Sequence, residues 1–226
     1  MFADSTSLLR RGCLGLLLTA LTALPAFAQQ TSYHEAPQGL TIVTVDVDQG
    51  DSTVIRTPSG AIHVIDAGNN GKGFADVIPV INGLSAQGPV TYAACWGTHG
   101  DADHIGGMDE VLNTFPFTIF YDRGDFRRNN TQTNLATIAA AGNRRRQIVL
   151  GQVYDLGDGV TITCLAVNGV VATTPFTTIN VTNSQQEENA RSMVLKLEYG
   201  DFDMWLGGDV TGGGNGTADV ESAASL

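Results

Sequence analysis

Basic residues are scarce in this sequence, which has 12 lysines and arginines against 23 aspartates and glutamates and a formal net charge of −11. An acidic surface repels phosphate backbones, so we expect no strong non-specific binding of nucleic acid. A phosphodiester substrate is not excluded, because a bound divalent cation reverses the local charge. The composition therefore argues against one class only, the proteins that hold long nucleic acids by charge.

Long hydrophobic runs are also missing. Residues 13–24 (CLGLLLTALTAL) are apolar, but they fall short of the about 20 residues that a membrane-spanning helix needs. Arg10 and Arg11 precede this stretch, and Ala26-Phe27-Ala28 follows it with the small residues of a cleavage site. The pattern predicts a signal peptide over residues 1–28 and one domain over residues 29–226. We expect an exported protein, periplasmic or secreted, that no membrane segment retains after cleavage.

Cysteine is rare, and only Cys95 and Cys164 lie outside the predicted signal peptide. Neither has a partner at C-x-x-C spacing, which makes a cysteine-based zinc site improbable. An oxidising compartment permits a disulfide between them, but two buried thiols that act as small hydrophobic residues are the favoured alternative. The G-x-S-x-G motif of serine hydrolases is absent as well.

The hydrophobic pattern predicts more strands than helices, and the helices fall between groups of strands. This order is typical of α+β domains in which sheets pack together with helices outside. Pro79 must kink or end the first helix. The final segment begins like a helix but has no C-cap, so we expect the C-terminal part of the domain to be missing. We predict strands at 40–47, 52–57, 61–66, 90–98, 116–121, 147–150, 160–167, 193–198 and 202–206, and helices at 74–85, 105–115, 131–142 and from 218 onward.

Four candidate metal ligands lie within six residues: His99, Asp101, Asp103 and His104. Residues i and i+2 at the end of a strand point to the same side, so His99 and Asp101 can converge on one ion. If a helix starts at His104, Asp103 and His104 can face a second ion. Imidazole and carboxylate ligands suit Zn²⁺ first, with Mn²⁺ as an alternative. The competing interpretation is an acidic loop in which an aspartate caps a helix.

The segment HGDADH resembles the H-x-H-x-D-H signature of the metallo-β-lactamase superfamily, in the H-x-D-x-D-H form of ComEC-like extracellular hydrolases. Four further blocks resemble the same group. The resemblance implies an αββα sandwich in which a metal activates a water. The blocks are residues 45–52 (VDVDQGDS), 64–68 (VIDAG), 189–200 (NARSMVLKLEYG) and 206–209 (LGGD), which are similar to D-V-G-Q-G-D-S, L-I-D-x-G, N-x-x-S-L-V-L-x-L-x-Y-G and L-x-T-G-D.

The resemblance also implies roles for individual residues. Asp209 matches a carboxylate that bridges two metals, and Asp66 matches a carboxylate beneath the ligand loop that orients the ligands. Asp103 is the candidate catalytic residue that orients the water or holds a second ion. Asn189 and Ser192 either touch substrate or make loop hydrogen bonds. The metal ligands implied are His99, Asp101, Asp103, His104 and Asp209.

Two departures from the family pattern limit the site. Asp48 stands where the group has glycine, which adds a charge near the site. The later His-His-Gly-Ser segment, which supplies another ligand in ComEC-like relatives, is absent, and the whole chain has only 4 histidines. The sequence therefore predicts one or two ions, held either in a fragment or in a reduced site.

The function predicted is an exported metal-dependent hydrolase of phosphodiesters, either nucleotides or DNA-like molecules. A lactone, β-lactam or amide hydrolase is the first alternative, although true β-lactamases of this fold carry histidine where Asp101 stands. The second alternative is a metal-stabilised binding module without turnover. The arginines at 123, 127, 128 and 144–146 either grip phosphate or are merely exposed.

Overall fold

The computed structural model describes residues 32–35, 39–124 and 131–225. The predicted signal peptide at 1–28 lies outside the described residues. Among those described, no helix has the length and apolar character needed to cross a bilayer.

The first sheet combines an antiparallel half with a parallel half. Its seven strands run in chain order, antiparallel from β1 to β4 and parallel from β4 to β7. Because parallel strands end at the same edge, the residues that follow β4, β5 and β6 meet there. The strands are β1 Ser32–Glu35, β2 Thr41–Thr44, β3 Thr53–Arg56, β4 Ala61–Ile65, β5 Thr91–Gly97, β6 Ile119–Asp122 and β7 Arg145–Gln147.

The second sheet is antiparallel throughout. Its order is β11-β10-β9-β12-β13, and β8 also pairs with β9. The strands are β8 Val153–Gly157, β9 Val160–Val167, β10 Val170–Val171, β11 Thr177–Thr178, β12 Val194–Tyr199 and β13 Phe202–Leu206.

The helices correct two sequence predictions. The helix expected at 74–85 begins as a π-helical turn, Gly73–Val77, and Pro79 lies in the first turn of α1, where its missing N–H costs nothing. The single helix expected at 105–115 is wrong, because α2 and α3 are separated at Gly106-Gly107. The helices are α1 Ile78–Ser85, α2 Ala102–Ile105, α3 Met108–Thr114, α4 Thr131–Ala141 (followed by a 3₁₀ turn, Gly142–Arg144), α5 Glu187–Ala190 and α6 Glu221–Ala224.

The glycine pair lets another loop pack against the backbone behind the ligand run. A Cβ on Gly106 would lie 2.4 Å from the backbone nitrogen of Asn70, and one on Gly107 would lie 2.4 Å from the carbonyl oxygen of Ala67. Only glycine permits such an approach. This close packing also explains why the helix breaks at the glycine pair.

The buried side chains form the four layers of an αββα sandwich. Val54 and Ile62 pack with α1 and α3 on one face of the first sheet, while Ile55 and Trp96 pack against the second sheet on the other face. A smaller cluster joins the outer face of the second sheet to α5 and α6. Successive residues of a strand point to opposite faces, so both faces of the central strands are apolar. The predicted fold class is confirmed.

One predicted strand lies elsewhere in the structure, and four observed strands were not predicted. The strand expected at 147–150 lies earlier, at β7, where Arg145 pairs with Phe120 in register and its guanidinium binds Asp122. Strands β1, β8, β10 and β11 were not predicted. Both cysteines are buried and free, so the thiol alternative is confirmed and no disulfide links them.

Because His63 is buried in the core, we expect the stability of the fold to decrease in acid. The side chain is 3% exposed, and neither ring nitrogen has a hydrogen-bond partner of good geometry among the described residues. Burial lowers the pKa of His63 to about 4, opposed by the backbone of Leu156. The unfolded chain binds this proton near pH 6.5, so stability is full above that pH and is lost as the pH falls to about 4.

We expect a loss of roughly 3 kcal/mol across that window. Urea unfolding at pH 7 and pH 4.5, with a chelator present, measures it. The His63→Gln variant should lose less stability than the parent between the two pH values. Equal losses in both proteins would show that His63 does not titrate on unfolding.

Candidate metal centre

The candidate centre lies at the edge where the parallel strands end. Asp66 follows β4, and Thr98 and His99 follow β5. Asp209 arrives from the second sheet, three residues after β13. Two sheets therefore deliver the polar side chains to one place.

Three of the predicted ligands come together. One ligand atom each from His99, His104 and Asp209 lies within 4.8 Å of the others. The Nε2 atom of His104 is 3.1 Å from Oδ1 of Asp209, and the two imidazole centroids are 4.1 Å apart. Both histidines are fully buried, whereas the Asp209 side chain is 40% exposed. The group is therefore open to solvent on the Asp209 side.

Asp66 sets the orientation of both imidazoles. Its carboxylate accepts hydrogen bonds from the Thr98 backbone N–H (2.8 Å) and the Thr98 hydroxyl (2.6 Å), and it lies 2.9 Å from Nδ1 of His104. The Thr98 hydroxyl also lies 3.1 Å from Nδ1 of His99. Because its proton goes to Asp66, this hydroxyl can only accept from His99. Both histidines therefore carry a proton on Nδ1 and direct Nε2 into the group.

The backbone at Asp66 is unusual in a way that fits this role. Its φ is 56°, in the left-handed region that side chains other than glycine rarely occupy. Such a conformation persists only when its surroundings hold it. Here three hydrogen bonds to the carboxylate do so, and the side chain is 1% exposed. The predicted place of Asp66 beneath the ligand loop matches this geometry.

The Nε2 atoms of His99 and His104 fit a metal ion. Both are buried, and neither makes a hydrogen bond of good geometry among the described residues, although Nε2 of His104 lies 3.1 Å from Oδ1 of Asp209. A buried polar atom without a well-formed hydrogen bond is costly, so two such atoms side by side call for an explanation. Two imidazoles and one carboxylate are a donor set that Zn²⁺ takes, with the second ring nitrogen of each histidine hydrogen-bonded. The residues therefore fit a divalent cation.

Two other predicted ligands stand apart from this group. Asp101 lies at its margin, with Oδ2 3.7 Å from Nε2 of His99. Asp103 is turned to the 48–51 loop, where its Oδ2 accepts a hydrogen bond of 2.8 Å from Gln49. Gly50 packs so closely on the Asp103 backbone that a Cβ would overlap its carbonyl oxygen. The ligand roles of Asp101 and Asp103 stay predictions.

Helix α5 connects the two ligand-bearing loops through Glu188 and Asn189. The sequence analysis named Asn189 but missed Glu188. Glu188 accepts a hydrogen bond of 2.8 Å from the Gly100 N–H, between the first two predicted ligands, and it forms an ion pair with Arg123 at 2.6 Å. The next residue, Asn189, donates to Asp209 Oδ2 at 3.1 Å. The loop hydrogen-bonding alternative for Asn189 thus matches the structure. The buried ion pair of Arg123 and Glu188 therefore holds the backbone of the ligand run at Gly100.

The arginine cluster does not form an open phosphate grip among the described residues. Arg123 is 1% exposed and paired with Glu188, and Arg145 pairs with Asp122. Arg144 donates to the carbonyls that end α4, including Ala141 at 3.1 Å. Residues 127 and 128 lie outside the described part of the chain. Arg146 is exposed and donates to the carbonyls of Asn143 and Arg145 at 2.7 Å. Because the other three guanidinium groups hold the fold together, the phosphate interpretation is disfavoured.

Comparison with known families agrees with this arrangement. Residues 45–133, which include the 48–51 loop, Asp66 and the whole ligand run, match the metallo-beta-lactamase superfamily. The chain has the metallo-β-lactamase fold. In this superfamily most members are hydrolases, and the fold is a metal-binding one. No curated protein matches the chain significantly.

Solved structures of this fold resemble the chain at low identity. A metallo-β-lactamase from Hirschia baltica is 15% identical over 74% of this chain and 66% of that one, with a TM-score of 0.40. Zn²⁺-bound PqqB from Methylobacterium extorquens is 16% identical over 69% and 51%, with a TM-score of 0.42. A metallo-β-lactamase motif mutant from Cronobacter sakazakii is 16% identical over 79% and 62%, with a TM-score of 0.47. The chain thus spans between 51% and 66% of the length of these proteins.

Metal binding to this metallo-β-lactamase fold is expected to displace a proton from His104. Burial lowers the pKa of His104, but the carboxylates of Asp209 and Asp66 outweigh it and raise the pKa to about 11. At pH 6 the metal-free imidazole is therefore protonated, and a metal ligand must be neutral. We expect Zn²⁺ to release about one proton at pH 6, below the pKa of about 7 of a zinc-bound water.

Calorimetric titration in buffers of different ionisation enthalpy measures this release as the slope of the apparent enthalpy. The control for adventitious zinc sites is the same titration of the Asp209→Asn variant, at the same protein concentration. A zero slope in the parent protein would contradict the protonation state assigned to His104.

Proposed function

We propose that the chain is an exported hydrolase that uses one divalent cation, with Zn²⁺ as the first choice, to activate a water against phosphodiesters. The observation that carries this proposal is the convergence of His99, His104 and Asp209, with both buried Nε2 atoms lacking a hydrogen bond of good geometry among the described residues. Catalytic zinc sites typically have three protein ligands and one open position. Three ligands on an edge open to solvent meet that requirement.

The residues divide the work between binding and orientation. His99 and His104 would hold the cation through Nε2. Asp66 accepts the Nδ1 proton of His104 directly, and the Thr98 hydroxyl, which donates to Asp66, accepts the Nδ1 proton of His99. Asp209 supplies the carboxylate on the exposed side. When bound, the cation would lower the pKa of a coordinated water to about 7, which would supply a nucleophile at neutral pH. Asp103, at the rim with Gln49, is the residue proposed to accept or orient the proton of that water.

Phosphodiesters are preferred over β-lactams for two reasons. The ligand run resembles the H-x-D-x-D-H form of phosphodiester-cleaving relatives, and Asp101 stands where β-lactamases carry histidine. The cation would also supply positive charge to a phosphodiester that an acidic protein otherwise repels. A lactone, β-lactam or amide hydrolase remains the competing enzyme, and a metal-stabilised binding module the competing non-enzyme.

The test measures bound metal and turnover on the purified exported chain. We expect hydrolysis of bis-p-nitrophenyl phosphate that a chelator abolishes and Zn²⁺ or Mn²⁺ restores. Nitrocefin serves as the β-lactam substrate under the same conditions. Faster metal-dependent cleavage of nitrocefin would overturn the substrate class. Stoichiometric metal without turnover of either compound would overturn the hydrolase and favour the binding module.

A further inference from the structure

A polar cleft adjoins the candidate metal centre on its exposed side. It has a volume of about 460 Å³ and lies between the 185–189 segment and the glycine-rich loop at 211–217. Asp209 and Asn189 belong to its wall. A substrate whose reacting atom lay at the His99–His104–Asp209 group would have this cleft beside it for its neighbouring part. Its volume is within the range of small-ligand pockets, about 300–1,000 Å³.

The two walls of the cleft are held together by hydrogen bonds. The backbone N–H of Gln185 donates to the Gly216 carbonyl at 2.9 Å, and the Ala218 N–H donates to the Ser184 hydroxyl at 2.8 Å. The hydroxyls of Thr211 and Thr217 donate to the backbone carbonyls of Ala218 and Gly214. The cleft is thus formed by the fold itself, and these two hydroxyls have no proton left to donate to a ligand.

The side chains left for recognition are uncharged amides. Gln185, Gln186 and Asn215 line the cleft, and their side chains make no hydrogen bond within the described part of the chain. Among the described residues that line it, Asp209 is the only ionisable one, and none is basic or aromatic. A carboxamide offers donors and an acceptor together. It therefore matches hydroxyl, amide or ring-imide groups better than a phosphate or an apolar ring.

We propose that this cleft binds an uncharged, hydrogen-bonding substituent of the substrate, such as a sugar hydroxyl or an amide-bearing ring. The inference rests on the proposed hydrolase and narrows its substrate class to small phosphodiesters with such a substituent. A polynucleotide is disfavoured, because its next phosphate would enter a cleft whose described lining has no basic side chain to pair with it. A bulky apolar substituent is disfavoured, because it would strip water from the amides without replacing their hydrogen bonds.

Three chromogenic diesters with the same leaving group test the preference at saturating metal. Thymidine 5′-p-nitrophenyl phosphate carries an uncharged hydrogen-bonding substituent, bis-p-nitrophenyl phosphate an apolar one and p-nitrophenylphosphorylcholine a cationic one. We expect the highest kcat/KM for the thymidine ester. Gln186→Leu should lower the ratio of kcat/KM for the thymidine and bis-aryl esters about fivefold, the effect of one neutral hydrogen bond.

The matched control is Gln152→Leu, an exposed glutamine in the turn before β8 that lies outside the cleft. It should leave the ratio unchanged. Hydrolysis without preference for the thymidine ester, or an unchanged ratio in Gln186→Leu, would overturn the cleft assignment while the hydrolase stands.

A binding readout separates this inference from the proposed function. Saturation-transfer NMR with thymidine and chelator-treated protein requires no turnover. We expect a transfer signal in the parent and the Gln152→Leu variant and a weaker signal in Gln186→Leu. If none of the diesters is hydrolysed, the proposed function fails, and the transfer signal alone tests the binding role of the cleft. Equal signals in all three proteins would overturn that role.

Discussion

Replacing His104 with alanine is expected to lower metal-dependent hydrolysis by on the order of a thousandfold. The imidazole provides Nε2 to the group, 3.1 Å from Asp209, and its Nδ1 is locked by Asp66. Alanine removes a ligand and leaves the Asp66 carboxylate without one of its three partners. Steady-state kinetics at several Zn²⁺ concentrations, together with bound zinc per protein, measure the loss.

The matched control is His63→Ala, which removes a buried histidine of β4 that lies outside the ligand group. His63 is 3% exposed and His104 0%, so both variants delete a buried imidazole and create a similar cavity. Only His104 lies in the ligand group. We expect His63→Ala to lose stability but to keep its zinc and its turnover per folded molecule. Equal zinc content in the two variants would contradict the role of His104.

Replacing Glu188 with alanine is expected to destabilise the protein by about 3–5 kcal/mol. The Arg123 guanidinium is 1% exposed and would remain buried without its carboxylate, and the Gly100 N–H would lose its acceptor. Breaking one half of a buried ion pair leaves an uncompensated charge, which is why the cost is large. Urea unfolding at pH 7 with a chelator measures the change in the free energy of unfolding.

The exposed ion pair of the same helix provides the control. Glu187 pairs with Arg191 at 2.7 Å, with the side chains 34% and 22% exposed, so Glu187→Ala should cost below about 1 kcal/mol. The double variant Arg123→Met with Glu188→Leu should recover most of the stability lost in Glu188→Ala, because it removes both charges. A Glu188→Ala variant as stable as Glu187→Ala would show that the buried pair contributes little.

Residue patterns predicted the layers of the fold because each pattern has a local cause. Ile42 and Val43, or Val54 and Ile55, point to opposite faces of one strand, and both faces are apolar. Such a strand must be covered on both sides, which requires a second sheet and a helical layer. The short strands β10 and β11 were missed because two residues carry no period to detect.

The local part of the centre could also be predicted from sequence. His99 and His104 are five positions apart, and a strand end followed by a helix start suffices to bring them together. The position of Asp103 could not be predicted, because Gln49, 54 residues earlier, holds its carboxylate. The Arg123–Glu188 pair spans 65 residues and has no motif of its own. Contacts of that range depend on how the two sheets pack, which no local pattern encodes.

The central claim is that His99, His104 and Asp209 hold a divalent cation, and anomalous diffraction at the zinc edge tests it most directly. Crystals grown with Zn²⁺ are expected to show a peak within about 2.0–2.2 Å of both Nε2 atoms and of one Asp209 oxygen. A zinc peak confined to surface carboxylates, with the two imidazoles left without metal, would contradict the claim.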